Sequence, residues 1–268
     1  GLATCGVIMQ AIVKNPLADP YILGISAGAS LGATSAVLLG IGAALGENAV
    51  GVAAFLGAFA VSVGVLFIAN LGGRANAMKL LLGGMALSAV CSAFSSFIVY
   101  FANDKEGIQT ITYWMMGSLA GARWDHMALI GGIIALSVLF FWTQSRILNL
   151  MLLGDESAIT LGTDLHPYRQ AYLIVSALVV GFAVFAAGMI GFVGLVVPHI
   201  VRMLVGTDHK RLIPVTALTG AIFLVVADGL CRVLIPHTEL PIGILISLVG
   251  APAFIYLMVK RTYGFGGQ

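Results

Sequence analysis

The feature that most constrains this chain is its series of long apolar segments separated by short polar connections. About 20 apolar residues of α-helix cross the hydrocarbon core of a bilayer, and a segment in lipid must satisfy its backbone polar groups internally. The long alternating pattern of a transmembrane β-barrel is absent from the sequence. The sequence therefore predicts an all-α, polytopic transmembrane helical bundle. Nine apolar runs are visible, with approximate bounds at 1–13, 25–45, 49–70, 78–101, 127–143, 171–187, 189–205, 212–234 and 242–259.

Composition excludes a water-soluble domain. Hydrophobic residues make up 60% of the 268 and charged residues only 9%, whereas soluble domains carry about 25% charged residues. We therefore expect residues 1–268 to form a single transmembrane domain. The chain opens at Gly1 with the apolar stretch GLATCGVIMQAIV, without a Met or a basic leader, which indicates the second half of a helix and not a signal peptide. The domain is thus predicted to be N-terminally incomplete.

The basic residues are distributed unevenly between alternate connections. Cytoplasmic loops of membrane proteins carry an excess of Lys and Arg, so the side with ten of the 13 basic residues is predicted to be cytoplasmic, and the C-terminus with it. An even number of spans would place both termini inside, so we expect ten spans, with the first helix missing before Gly1. The ten residues are Lys14, Arg74, Lys79, Arg146, Arg169, Arg202, Lys210, Arg211, Lys260 and Arg261; the other three are Lys105, Arg123 and Arg232.

The stretch KNPLADP, Lys14 to Pro20, interrupts the apolar pattern. Pro is poorly tolerated inside a helix, the residue before Pro is pushed out of the helical region, and Asn and Asp favour turns. The stretch is therefore predicted to form a rigid turn on the cytoplasmic side. From these residues alone, an ordinary tight turn and a gate at the mouth of a transport path both remain open.

Small residues recur at a spacing of four in several places. This spacing lets helix backbones approach closely in lipid, where no hydrophobic force drives helices together. We expect tight packing inside the bundle, the lining of a path for a bulky substrate, or both. The glycines concerned are Gly24, Gly28 and Gly32, the pair Gly42 and Gly46, and the pair Gly117 and Gly121.

The longest polar connection runs from Ser145 to Gln170. It has the length for two short helices with an apolar face, and Asp155, Glu156 and Ser157 lie where they could cap or charge a helix start. One interpretation is a segment that lies on the membrane surface. The interpretation we favour is a docking platform for a cytoplasmic protein, because a simple linker would not need so much amphipathic structure.

Most enzymatic motifs are missing from the sequence. It contains no phosphate-binding G-x-x-x-x-G-K-[ST] loop and no HExxH. Cys5, Cys91 and Cys231 are expected to be buried small hydrophobes, with no disulfide and no metal-ligand spacing. Asp228 has Arg232 four residues later, which predicts a structural ion pair near a helix end and leaves a proton relay as the weaker interpretation. The net charge of +2 gives no indication of a nucleic-acid partner.

Four stretches carry a resemblance to a known family. QAIVKNPLADPYILGISAGASLGA, YWMMGSLAG, LGDESAITLG and the stretch that runs from GMIGFVGLVVPHIVRML to APAFIYLMVKR resemble the permeases of bacterial ABC importers for iron-siderophores, haem and cobalamin. The resemblance implies ten transmembrane helices per subunit in the bacterial cytoplasmic (inner) membrane. It also implies a homodimer with two ATP-binding cassette subunits and an extracytoplasmic substrate-binding protein. ATP and Mg would be bound by those ATPase partners, with no cofactor or metal in this chain.

The resemblance also implies three sets of site residues. Coupling helices that fit a cleft on the ATPase match Leu153, Gly154, Asp155, Glu156, Ser157, Ala158, Leu161 and Gly162. An outer-face arginine that pairs with a carboxylate of the binding protein matches Arg232. Two loops of an inner cytoplasmic gate match Asn15 and Leu17 in one stretch and Asn76, Ala77 and Met78 in the other.

We therefore predict the permease subunit of an ATP-driven importer, embedded in membrane lipid and without catalytic residues. Its expected cargo is a chelated metal compound, with a ferric siderophore first, then haem, then cobalamin. The main alternative is an ion-coupled secondary transporter, against which the scarcity of intramembrane acids counts. A membrane-embedded enzyme is a second alternative, disfavoured because no constellation of catalytic residues is visible.

Overall fold

The structure is a computed structural model that describes residues 1–71, 73–235 and 238–260, without the side chains of residues 22 and 256–260. Arg261 and His237 lie outside the described residues. Within the described ranges the chain forms α-helices, two 3-10 helices at Pro20–Leu23 and Ala43–Asn48, and no strand. The α-helices are α1 (Leu2–Val13), α2 (Ile25–Leu39), α3 (Ala49–Asn70), α4 (Ala77–Phe101), α5 (Lys105–Met116), α6 (Trp124–Thr143), α7 (Ser145–Leu153), α8 (Asp155–Thr160), α9 (His166–Ala187), α10 (Val193–Val205), α11 (His209–Val233) and α12 (Ile242–Lys260).

Each of the nine predicted apolar runs is a helix, which confirms the all-α polytopic bundle. Within the described ranges five helices are long and apolar enough to cross a membrane, namely α3 with the 3-10 turn before it, α4, α6, α9 and α11. The other four runs correspond to the shorter apolar helices α1, α2, α10 and α12. The two short helices predicted in the connection 145–170 are α7 and α8.

Three details differ from the prediction. Helix α2 ends at Leu39 and not near residue 45, because Gly40 adopts a left-handed conformation with φ 67° and stops the helix. Helix α10 begins at Val193 and not at residue 189, after a segment that contains Gly188 at φ 69°. Helix α5 was not predicted, because its polar residues interrupt the apolar pattern used to locate helices. Its start is nevertheless marked by Asp104, which caps the helix by accepting from the Gly107 N–H at 3.0 Å.

The chain folds into two compact units. Unit 1 comprises the described residues of Gly1–Pro20, Gly131–Ser176 and Gly191–Gln268. Unit 2 comprises the described residues of Tyr21–Ile130 and Ala177–Ile190. The chain passes from one unit to the other four times: after Pro20 in the first 3-10 helix, within α6, within α9, and after Ile190.

Unit 1 is built around α1, whose twelve residues are all buried. This helix contacts α7, α10 and α11. A Cβ at Gly6 would collide with the Gly194 carbonyl group of α10, and a Cβ at Gly220 of α11 would lie 2.9 Å from the Ala3 Cβ. Backbone-to-backbone packing at small residues therefore holds the centre of unit 1 together.

Unit 2 contains α2 packed against α3 and α4. A Cβ at Gly28 would collide with the Gly57 carbonyl oxygen, and one at Gly32 with the Ala53 carbonyl oxygen. The packing role predicted for the first glycine series is thus confirmed.

Close packing between helices does not occur at the other two glycine pairs. Gly42 and Gly46 lie at the 3-10 turn after α2, where a Cβ would meet at most the Leu45 side chain. Gly117 follows α5 and is close to the Met189 carbonyl, but a Cβ at Gly121 would meet nothing within 4 Å. These glycines lie in turns outside the helices, so the four-residue spacing there carries no helix–helix contact.

Candidate functional site

The stretch KNPLADP forms the predicted turn, here called the inner turn (Lys14 to Pro20). Helix α1 ends at Lys14, which adopts a left-handed conformation with φ 55°. The Asn15 side chain accepts from the Leu17 N–H at 2.9 Å, and the Ala18 N–H donates to the Asn15 carbonyl at 3.0 Å. Ala18 is fully buried. Hydrogen bonds and burial therefore fix the turn that follows α1, with Asn15 and Leu17 half-buried on it.

A buried amide connects the inner turn to α10. Gln10 is fully buried, donates through Nε2 to the Ala18 carbonyl at 3.3 Å and to the Gly194 carbonyl at 3.5 Å, and accepts from Arg202 Nη2 at 2.6 Å. A buried amide without partners would be costly, and these bonds satisfy both of its ends. Sequence reasoning missed this residue, although a Gln inside the apolar run 1–13 was the available signal.

The coupling segment, defined as residues 145–170, presents two kinds of apolar residue. Leu148, Met151 and Ala158 are almost completely buried against the rest of unit 1. The other set is exposed at the surface, with 64% of Leu153, 63% of Ile159 and 66% of Leu161 accessible. The segment is therefore anchored on one side and carries an exposed apolar surface on the other. The predicted amphipathic character is confirmed.

Helix α8 begins with the acidic pair. Asp155 and Glu156 form its first turn, so the predicted charge at a helix start is present, but the N-cap is Gly154, which has no side chain to cap with. The hydroxyl of Ser157 donates back to the Leu153 carbonyl at 3.2 Å and does not cap α8 either. Gly154 has φ 103°, a conformation that glycine adopts without a steric cost.

The two acids of α8 have different surroundings. Asp155 Oδ1 lies 2.8 Å from Arg169 Nη2 and 3.8 Å from Lys14 Nζ, whereas Glu156 is exposed. Arg169 lies in the first turn of α9 and only 4% of its side chain is accessible. Asp155 therefore joins a buried arginine of the coupling segment to the lysine that ends α1. Gly162 follows α8 and is exposed.

A second polar group anchors α7. Asn149 Nδ2 donates to Asp208 Oδ1 at 2.8 Å, and Asn149 Oδ1 accepts from the His209 N–H at 3.0 Å. Asp208 also caps α11 by accepting from the Lys210 N–H at 3.1 Å. The hydrogen bond from Asn149, followed by that from the Lys210 backbone, lowers the pKa of the Asp208 carboxyl group. The ionised form of Asp208 thus holds α7 to the start of α11.

Arg232 lies near the end of α11, within a cluster of opposite charge. Its Nε donates to Asp228 Oδ2 at 2.8 Å and its Nη1 lies 3.1 Å from Glu239 Oε1. The predicted ion pair with Asp228 is confirmed, and 46% of the Arg232 side chain stays accessible. No group of three or more His, Cys, Asp or Glu residues arranged to hold a metal ion occurs in the described parts of the chain.

The second predicted gate stretch lies in unit 2, at the start of α4. Asn76 is the N-cap, and its side chain accepts from the Lys79 N–H at 2.8 Å. Ala77 is half-buried and 62% of Met78 is exposed. The capping bond explains why an Asn stands at this position and why α4 begins at the next residue.

Unit 2 also contains a cavity of about 510 Å³ that sequence reasoning missed. Six of its nine lining side chains carry a hydroxyl group, and none is charged. Ser30 donates to the Met115 sulfur at 3.7 Å, and the Ser95 hydroxyl has no hydrogen-bond partner within the described protein. The hydroxyl-bearing residues are Ser30, Thr34, Ser92, Ser95, Ser96 and Tyr100.

Comparison with known proteins identifies the family. The model of the FecCD transport family matches residues 1–260, nearly the whole chain. The chain belongs to the FecCD transport family. The resemblance found in its sequence motifs is therefore confirmed.

Relatives of this FecCD protein have names that refer to several cargoes. The hemin transport system permease protein HmuU of Yersinia pestis is 39% identical over 264 residues, covering 97% of this chain and 78% of the relative. The cobalamin import system permease protein BtuC of Halobacterium salinarum is 41% identical over 260 residues, covering 97% of this chain and 69% of the relative. The vitamin B12 import system permease protein BtuC of Salmonella typhi is 41% identical over 263 residues, covering 97% and 78%.

A solved structure shares the fold of this FecCD protein. It is described as a putative metal-chelate type ABC transporter in an inward-facing conformation. The TM-score is 0.88 at 34% sequence identity, and the match covers 97% of this chain and 82% of the other. The FecCD chain is thus a membrane permease subunit of an ABC importer and not an enzyme, and the ATPase is a separate subunit. It is a multi-pass inner-membrane protein.

Proposed function

We propose that this FecCD permease moves a chelated metal compound into the cytoplasm, with a ferric siderophore as the preferred cargo, then haem, then cobalamin. The observation that carries the preference is the hydroxyl-lined cavity of unit 2. Hydroxyl groups both donate and accept hydrogen bonds, so these six side chains offer binding positions for the oxygen atoms of a chelate on an otherwise apolar wall.

The proposed assembly follows from the family. The whole chain, 1–268, acts as one transmembrane permease domain in a homodimer that binds two ATP-binding cassette subunits. These partners bind ATP and Mg and hydrolyse the nucleotide. An extracytoplasmic binding protein delivers the cargo, and the C-terminus lies in the cytoplasm.

The coupling segment is the proposed ATPase contact. Its exposed Leu153, Ile159 and Leu161 form an apolar surface next to the exposed Glu156. An apolar centre with a charged residue at its edge is the usual composition of a protein–protein contact. The remaining matched residues, Gly154 and Ala158 among them, support the turn and the packing that hold this surface in place.

The proposed gate and docking residues are those of the family motifs. Asn15 and Leu17 on the inner turn are the proposed residues of one cytoplasmic gate loop, and Asn76, Ala77 and Met78 at the start of α4 are those of the other. Arg232 would bind a carboxylate of the binding protein. Arg has five N–H donors, and its two intramolecular partners leave donors available for a third.

A reconstituted transporter tests the proposal. The full-length permease is placed in liposomes with its ATPase subunits and a binding protein loaded in turn with a ferric hydroxamate siderophore, haem or cobalamin, and ATP hydrolysis and uptake are measured. We expect the ferric siderophore to stimulate hydrolysis most. Ser92→Ala and Ser96→Ala should reduce its uptake, while Ser137→Ala, on α6 outside the cavity, should not. Uptake that survives ATP depletion and follows an ion gradient would favour the secondary-transporter alternative.

A further inference from the structure

We propose that Asp155 is a positioning residue that ties α8 to the inner turn through Lys14. The proposal rests on the proposed function, because it assigns α8 to the ATPase contact. Sequence reasoning treated Asp155 and Glu156 as an acidic pair with one role. The structure separates them, since one carboxylate contacts residues of unit 1 and the other is exposed.

The ion pairs of Asp155 define the connection. Its Oδ1 atom lies 2.8 Å from Arg169 Nη2 and 3.8 Å from Lys14 Nζ, so one oxygen serves two cations. Arg169 is almost completely buried in the first turn of α9, so its side chain holds the Asp155 carboxylate in place. The lysine and the aspartate are 38% and 44% exposed, so the second contact lies near the surface.

Lys14 lies where a displacement would reach the proposed gate. It ends α1 in a left-handed conformation, and the next residue along the chain is Asn15. Gly154 lies close to the same lysine, because a Cβ added at this position would lie 3.1 Å from Lys14 Nζ. The first residue of α8 and the residue that follows α1 are therefore joined by an ion pair.

This arrangement gives α8 two surfaces with different tasks. Glu156, Ile159 and Leu161 are exposed and available to a partner. Asp155 transmits a displacement of α8 to Lys14 and so to the inner turn. Coupling between sites requires such a contiguous physical contact, and the ion pair supplies one within unit 1.

The decisive variant is Lys14→Met, which removes the Lys14 contact and leaves the Asp155–Arg169 pair intact. The complete transporter is reconstituted in liposomes, and the amount of ferric hydroxamate siderophore imported per ATP hydrolysed is measured. We expect this ratio to fall about two- to fivefold, within the range of coupling changes caused by mutations between two sites, with the ATPase subunits retained in normal amounts. Lys14→Arg should restore the ratio.

The control variant is Glu156→Gln. It should weaken retention of the ATPase subunits, an effect that Lys14→Met should not show. If Lys14 had a purely structural role, Lys14→Met would lower the melting temperature and leave the amount of siderophore imported per ATP unchanged. That result would overturn the proposal. Loss of ATPase retention in Lys14→Met would overturn it as well.

A second readout does not depend on transport. A nitroxide attached at Thr160→Cys, an exposed position on α8, reports the mobility of this helix in the full-length permease. We expect Lys14→Met to increase the mobility of α8 and Lys14→Arg to leave it unchanged. An unchanged mobility in Lys14→Met would contradict the proposed role of the Asp155–Lys14 ion pair. If the wild-type transporter imports no chelate, the proposed function is wrong. The nitroxide measurement then tests the positioning role of Asp155 by itself.

Discussion

Arg232 shows how the partners of one side chain limit what it can do. The sequence suggests a cation exposed on an acid-leaning side, but the structure places it between two carboxylates, those of Asp228 and Glu239. The local charge of this cluster is negative. A partner carboxylate would therefore be attracted only by the exposed part of the guanidinium group, and orientation would matter as much as charge.

The exchange Arg232→Glu tests this residue. It brings three carboxylates together and removes the donors, so the affinity for the binding protein should fall by about 1–2 kcal/mol, roughly 5- to 30-fold in Kd. The loss should be larger at low salt, because exposed charges are screened by ions. Titration of the loaded binding protein at two salt concentrations measures both effects.

A second exposed arginine supplies the control for Arg232. Arg123 is also exposed and also paired within the chain, with Glu47 and Asp125. Arg123→Glu should leave the affinity for the binding protein unchanged. Equal losses in both variants would indicate a general charge effect, and an undiminished, salt-independent affinity in Arg232→Glu would remove the residue from this role.

At the level of elements, small residues decide how the helices of each unit pack. Within unit 2, Gly28 and Gly32 let α2 approach the backbone of α3 until no space remains for a Cβ. Within unit 1, Gly6 does the same between α1 and α10. Such contacts depend on van der Waals packing, because lipid surrounds apolar side chains as favourably as another helix does.

Gly28→Leu should therefore destabilise the permease strongly. The new side chain cannot be accommodated next to the Gly57 carbonyl, and overpacking of this kind costs about 1–3 kcal/mol or more. The matched control is Gly132→Leu on α6, where a Cβ meets nothing within 4 Å. Thermal unfolding in detergent should show a lower Tm for Gly28→Leu. For Gly132→Leu, the free energy of unfolding should change by no more than about 0.5 kcal/mol. Equal Tm values would contradict the packing argument.

The sequence predicted elements better than contacts. Apolar runs locate the nine helices because lipid imposes length and apolarity on a span. Helix α5 escaped detection because it follows a different rule, in which Asp104 caps a short polar helix. The separate surroundings of Asp155 and Glu156, and the bonds of the buried Gln10, depend on residues distant in the chain, which a single sequence does not reveal.

At the level of the whole molecule, the function depends on which side of the membrane each connection occupies. Ten basic residues on one set of connections and three on the other predict that the coupling segment is cytoplasmic. ATP and its hydrolysing subunits are on that side. An inverted molecule would place Glu156 and Leu161 out of reach of the ATPase.

Accessibility of introduced cysteines tests the orientation. The matched pair is Lys105→Cys, at the start of α5, and Lys210→Cys, at the start of α11, both at exposed positions. The native Cys5, Cys91 and Cys231 are buried, so they should add little background. In intact spheroplasts a membrane-impermeant maleimide should label Lys105→Cys, and it should label Lys210→Cys only after permeabilisation, because positive connections stay inside. The reverse pattern would place the coupling segment outside the cell and overturn the importer mechanism proposed for this chain.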